Sequence, residues 1–177
     1  MKATGMIRRI DELGRIVIPK EIRKSYSIRV GDEIEIYAED GGLLVMRKHS
    51  RIDDRLVSFG GVAEAIYRSL GGSVILADTD KILAVSGAYK ARYEGNVLTE
   101  DIVSIVSRRR GSVLKGDNIV DIIDDDPREY TCCYVSPIVA SGDLYGSLIM
   151  LADDIDITLV SAVLDSAARF LALSLES

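Results

Sequence analysis

Asp11-Glu12-Leu13-Gly14-Arg15-Ile16-Val17-Ile18-Pro19-Lys20-Glu21-Ile22-Arg23-Lys24, residues 11–24, is the stretch on which the reading of this chain turns. Gly14 supplies the positive φ that a tight hairpin connection often needs, so the segments on either side, 5–10 and 15–18, read as two short strands. Pro19 fits the first position of a helix, where its missing N–H costs nothing. Glu21 then complements the positive end of the helix dipole, and Arg23 and Lys24 fall near the negative end about two turns later. Further on, Glu33-Ile34-Glu35-Ile36-Tyr37 alternates as a strand with one wet face does, and Asp40-Gly41-Gly42 turns it into a second strand at 43–47. The head therefore reads β-β-α-β-β.

Such a head is small. A helix of two turns is marginal alone, and roughly 50 residues bury too little surface for comfortable stability without a disulfide, a metal or a partner chain. The sequence offers neither of the first two, so the head is expected to dimerise, most economically by interleaving the hairpins of two copies around one shared core.

Charge divides the chain in the same place. Residues 1–51 hold 11 Lys+Arg against 8 Asp+Glu, net +3, while residues 52–177 hold 11 against 20, net −9. A basic head on an acidic protein suggests a head that meets a polyanion, although a solvated basic face accounts for the charge about equally well. The division predicts two domains, 1–51 and 52–177.

In the second domain Leu56, Phe59, Ala63, Ile66 and Leu70 make one apolar helical stripe that Gly71-Gly72 ends. Strands are expected at 73–77 and 82–86. Thr99 reads as the N-cap of a helix carrying Ile102, Val103, Ile105 and Val106 inward, with Arg108-Arg109-Arg110 at its negative end. Strands follow at 119–123, 130–139 and 144–151, and a largely apolar helix at 155–175 is expected to pack both on its own sheet and on another subunit. Asp156, Asp165 and Arg169 argue against that helix crossing a membrane. The order of elements gives an α+β or α/β sandwich around an antiparallel-rich sheet.

Several chemistries find little support. Cys132 and Cys133 are the only cysteines and are adjacent, so they close no structural loop and would face opposite sides of a strand. They read as buried free thiols, and a thiol redox enzyme is the weaker alternative, because the single histidine, His49, lies in the other domain. No zinc-type ligand set exists, and Asp124-Asp125-Asp126 lacks the spacing of a calcium loop and reads as solvated. Tyr89, Tyr93, Tyr130 and Tyr134 read as packing or rim residues before pocket residues, and Phe59 and Phe170 as core. We assign no catalysis, metal or cofactor. No leader pattern opens the chain, which reads as cytoplasmic.

Met1-Lys2-Ala3-Thr4-Gly5 with Arg8-Arg9-Ile10 and the run 11–24, followed by the Gly31-Asp32 step and the terminal strand pair, resembles the swapped-hairpin DNA-binding domain of the AbrB family of transition-state regulators. The resemblance runs over residues 1 to about 50 nearly without gaps. It implies two chains interleaving their hairpins and presenting cations to a DNA duplex, with the family's contacting positions falling on Arg8, Arg15, Arg23 and Lys24 and with Arg9 and Lys2 as auxiliaries. Lys24 is often Arg in relatives, and lysine keeps the charge but loses the planar fork, which favours phosphate over base-edge contact there. Element order and the 135–151 hairpin resemble a GAF fold, and the whole chain resembles sporulation regulators of endospore-forming Firmicutes that join the two. The resemblance implies a homo-oligomeric transcription regulator, activator or repressor, acting in the forespore on A·T-rich DNA. It would be a dimer through the head and a tetramer if the second domain pairs different partners, with a small-ligand role for the GAF-like domain. The antitoxin reading, in which swapped-hairpin heads carry a short toxin-binding tail, fits less well with some 125 residues that look independently folded.

Overall fold

The computed structural model of the protein describes residues 5–154 and 156–176. It separates into two compact units, 1–49 and 50–177.

The first unit contains a helix, α1 (Lys20–Ser25), and a hairpin of β1 (Ile34–Glu39) and β2 (Leu43–Lys48) that pair in register from Ile34↔Lys48 to Glu39↔Leu43. Pro19 stands at the N-cap rather than the first helical position, with Glu21 in the first turn and Arg23 and Lys24 in the last. The expected strands at 5–10 and 15–18 form only their connecting turn. The Asp11 amide donates to the Arg15 carbonyl (3.0 Å), the Gly14 amide donates to the Asp11 carbonyl (3.0 Å), and Gly14 has φ +75°. No ladder follows, because β1 and β2 pair only with each other and leave these segments without a partner. Ile7 is 96% exposed, Val17 77% and Val30 94%, and Pro19 is the only buried residue among those described in this unit. Among the described residues the head thus has an apolar surface and no closed core.

The second unit is built on a five-stranded antiparallel sheet ordered β4-β3-β7-β6-β5, with β3 (Ser73–Ala77), β4 (Ile82–Gly87), β5 (Ser112–Lys115), β6 (Cys132–Ala140) and β7 (Asp143–Ala152). All five residues of β3 are buried, as a central strand covered on both faces requires. One face carries α2 (Leu56–Leu70) and α5 (Ile157–Leu175), which enclose Phe59, Ala63, Ile66, Leu164, Ala168 and Leu171 with Val74, Leu76, Leu148 and Met150. On the other face, a short α3 (Lys90–Tyr93), α4 (Glu100–Val106) and the segment 119–130 enclose Tyr93, Ile102, Ile122 and Tyr130 with Ile75, Val135 and Ile149. Asp156 caps α5 by accepting from the Thr158 and Leu159 amides, and Thr99 caps α4. The segment joining the units enters the second at Ile52, fully buried, then turns through a 3-10 helix at Asp53–Arg55.

Several expectations need correction. Residues 119–123 are not a strand: the Ile122 amide donates to Asp126 Oδ2 (2.7 Å), its carbonyl accepts from the Thr99 amide (3.0 Å), and the Asp121 carbonyl accepts from the Thr99 hydroxyl (2.5 Å), so two side chains and one isolated amide take the place of a ladder. Its place at the sheet edge is taken by β5, which the sequence reading missed. The Arg108-Arg109-Arg110 triplet directly follows the end of α4 at Val106, where the Arg108 and Arg109 amides donate to the Ile105 and Val106 carbonyls (3.1 and 3.0 Å) and the Arg109 side chain donates to the Gly142 carbonyl. Phe170 is 60% exposed on α5 and not core, whereas Phe59 is buried. Helix α5 is long and apolar enough to span a membrane by length and composition, yet its Asp165 is engaged with β6, accepting from Tyr134 Oη (3.0 Å) and Ser136 Oγ (2.6 Å).

Candidate nucleic-acid interface

The cations of the head fall into two groups that local chemistry separates. On the second hairpin each basic group meets an acid. Arg47 donates through Nη2 and Nε to Glu35 (2.7 and 3.1 Å), Lys48 Nζ lies 3.3 Å from Asp32, and His49 Nδ1 lies 3.2 Å from Glu35. Hydrogen bonds from Tyr37 and then Arg47 hold the Glu35 carboxyl down at about 2. These charges are compensated where they stand.

The first turn and α1 differ. Arg8 and Arg9 lie exposed on the segment before the turn, Lys24 is exposed on the last turn of α1, and none of the three side chains has a hydrogen bond or ion pair among the described residues. Arg23 is half-buried, and its Nε is buried without a hydrogen-bond partner. Lys2 lies outside the described residues. Arg15 is exposed and has one acidic partner, Asp11, reached through Nε at 2.8 Å, which leaves its two terminal nitrogens open to a second acceptor.

Asp11 was absent from the sequence-derived set, and it organises the loop. Its Oδ1 accepts from the Leu13 amide (3.0 Å) and the Arg15 amide (2.8 Å), while Oδ2 holds the guanidinium. The Arg15 amide, then its side chain, keep the Asp11 carboxyl below the ordinary range. The sequence signal for this role is an Asp at the start of a Gly-containing turn, where a carboxylate bonds to amides a few residues ahead. The loop is thus braced before any ligand arrives, with Arg15 directed by its own turn.

In the second unit the tyrosines divide between the faces of the sheet. Tyr93 and Tyr130 are buried and donate to Asp126 (2.5 and 2.9 Å), with Tyr89 stacked edge-on against both at 5.8 and 6.5 Å. Burial, then Asp126, raises both phenols well above the ordinary value. Asp126 is therefore not the solvated loop residue expected. Burial alone would raise its carboxyl, but bonds from Tyr93, the Arg128 and Ile122 amides and Tyr130 together hold it below the usual range. Tyr134 lies on the opposite face against Asp165, its phenol pushed up to about 12 by burial and that carboxylate. Both cysteines are free and buried, and burial raises each thiol, Cys133 strongly. Among the described residues no group of three or more His, Cys, Asp or Glu is placed to hold a metal ion.

Comparison with known proteins bears on both units. The family described as stage V sporulation protein T C-terminal, transcription factor, matches residues 56–176, and the antidote-toxin recognition MazE family of bacterial antitoxins matches 7–54. Over its whole length the chain is similar to stage V sporulation protein T of Bacillus subtilis (strain 168), 40% identical over 181 residues and covering 99% of each chain. It is also 34% identical over 77 residues to the transition state regulatory protein AbrB of the same organism, covering 44% of this chain and 78% of that one. In fold the chain is similar to the second GAF domain of DevS from Mycobacterium smegmatis (TM-score 0.54, 18% identical, 68% of this chain and 92% of that one). A comparable likeness links it to a type II free methionine-R-sulfoxide reductase from Thermoplasma acidophilum (TM-score 0.56, 12% identical, 71% and 95%). At such identities these two likenesses establish a GAF-like fold and nothing about chemistry.

Proposed function

Because the chain belongs to the stage V sporulation protein T family and is a sporulation transcription regulator, we propose that its head binds DNA as a dimer through Arg8, Arg15, Arg23 and Lys24, with Arg9 and Lys2 as auxiliaries. The observation that carries this reading is the sorting of charge. Cations of the second hairpin are neutralised by Glu35 and Asp32, whereas among the described residues Arg8, Arg9, Arg23 and Lys24 have no acidic partner and Arg15 keeps its terminal nitrogens free. Exposed apolar side chains at Ile7, Ile16 and Val17, together with the missing ladder, support a core completed by a second copy.

No helix of the head is long enough to fill a major groove, since α1 has six residues. Readout then depends on the shape and deformability of the duplex as well as on phosphate contacts, which favours loosely defined A·T-rich sites. The second unit serves assembly, up to a tetramer, and response to a small ligand, without catalysis: its thiols are buried and held protonated. The protein acts where the chromosome is, in the cytoplasm, and within it in the forespore.

Fluorescence anisotropy of a labelled A·T-rich duplex across a salt series tests the reading. If half to all of eight cations per dimer reach phosphates, log K falls against log salt with a slope of roughly −4 to −7. Arg15→Ala removes one contact per chain and flattens the slope by about 2. A slope unchanged by Arg15→Ala, or no binding at low salt, would sink the assignment.

A further inference from the structure

The second unit is acidic, yet three of its arginines converge on one opening. Arg109, Arg110 and Arg169 line a cleft of about 290 Å³ between α5, β6 and the turn that follows α4. Arg109 is fixed by its bond to the Gly142 carbonyl, and its backbone is left-handed at φ +56°, an uncommon conformation for a non-glycine residue. Arg110 and Arg169 have no hydrogen-bond or ion-pair partner for their side chains among the described residues. Among the described residues the only carboxylate lining the cleft is Asp165, and Tyr134 and Ser136 already occupy its two oxygens at 3.0 and 2.6 Å.

The floor is closely fitted. A Cβ placed on Gly111 would meet Tyr134 Oη at 2.1 Å and Asp165 Oδ1 at 3.2 Å, so the backbone between the arginines and β5 lies directly on the Tyr134–Asp165 pair. Only a residue without a side chain lets the turn come down onto that pair. The neighbouring opening, about 500 Å³, shares Arg110 and Gly111 and adds Arg108, Ser112 and Asn118. On the other face of the sheet, by contrast, Tyr93, Leu98, Ile102, Ile122 and Tyr130 fill the space between sheet and helices with the protein's own side chains.

We propose that the Arg109–Arg110–Arg169 cleft binds a small multivalent oxyanion, a metabolite carrying phosphate groups or several carboxylates. Three guanidiniums against one engaged carboxylate leave an excess of about two positive charges, which matches such a ligand and repels a cation. The volume lies at the small end of known ligand sites, which excludes a polymer from the interior. The inference deepens the ligand-responsive reading of the second unit. Direct binding is measured apart from DNA affinity, so either can fail alone.

Inorganic pyrophosphate and citrate are titrated separately into the intact protein by calorimetry, at moderate salt. Binding of pyrophosphate identifies a phosphate site and binding of citrate alone a carboxylate site. In either case R110Q/R169Q weakens it by at least about tenfold, while Arg92→Gln, whose arginine lies outside the cleft, leaves it unchanged. Arg110 and Arg169 are exposed, so their removal orphans nothing and the double variant folds. The proposal is overturned by the absence of heat from both probes up to about 1 mM, by equal binding in the double variant, or by equal weakening in Arg92→Gln.

Discussion

Asp126→Ala is the substitution whose cost the structure sets most directly. The carboxylate accepts from four donors: Tyr93 Oη (2.5 Å), Tyr130 Oη (2.9 Å), the Ile122 amide (2.7 Å) and the Arg128 amide (2.9 Å). After truncation Tyr130 retains the Val120 carbonyl at 3.5 Å, and the exposed Arg128 amide turns to water. The Tyr93 hydroxyl and the Ile122 amide are left orphaned beside fully buried side chains. At about 1–3 kcal/mol for each orphan, and with solvent able to reach part of the site, the loss is about 3 kcal/mol. That corresponds to a fall of roughly 10 °C in Tm for a unit of this size. Differential scanning calorimetry of the full chain reads it. Tyr93→Phe alone costs about 1 kcal/mol, and combining it with Asp126→Ala removes one of the orphans, so the pair is less destabilised than the sum of the singles. The carboxyl is depressed in the folded state, so its contribution is complete above the ordinary value of 3.8 and disappears as pH falls through the lower folded value. The gap between wild type and Asp126→Ala is therefore flat from about pH 5 to 8 and narrows below about pH 4. A single-variant loss under about 0.5 kcal/mol, or strict additivity in the cycle, would refute the cluster as a structural latch.

How much of this was legible in the sequence depended on the range of the interactions. Helix α1, the second hairpin, α2 with its glycine stop and the Thr99 cap were readable because periodicity and capping are written within ten residues. The 119–123 segment misled for the opposite reason. Its short apolar run has a strand's composition, but all four apolar residues pack into one core cluster while Asp126 and Thr99 satisfy the backbone, and nothing in the run Ile119-Val120-Asp121-Ile122-Ile123 tells of a carboxylate folding back from a loop. The first hairpin was legible as a turn and not as a sheet: its turn bonds lie within five residues, while no ladder forms over 5–10 and 15–18 among the described residues. The cations were identified by position. Which of them are already neutralised is a tertiary fact: Arg47 and Arg15 look alike in sequence, yet one is held by two nitrogens against Glu35 and Tyr37 while the other gives only Nε to Asp11.

Three further outcomes follow from the same geometry. Gly146→Ala places a Cβ 2.1 Å from the Ala77 carbonyl oxygen and 2.6 Å from Ile52 Cδ1, and because one of these is backbone, overpacking costs about 3 kcal/mol, read by urea unfolding. A wild-type Tm within about 1 °C would show that β7 shifts freely there. Cys133 is fully buried and its thiol is raised, so in the folded protein it reacts with a thiol reagent at neutral pH only as fast as the unit opens, and quickly once denatured; fast labelling of the native protein would contradict the packing. Asp11→Ala gives the sharpest contrast, since it removes a negative charge from the loop proposed to meet DNA, and simple Coulomb reasoning has the variant bind DNA more tightly. The carboxylate, however, braces the Leu13 and Arg15 amides and directs the Arg15 side chain, so on the proposed DNA-contacting role of Arg15 its loss unlocks the loop and lowers affinity by about three- to tenfold at fixed salt. Tighter binding in anisotropy titrations would mean that charge outweighs preorganisation at this turn, and that Asp11 restrains Arg15 rather than presenting it.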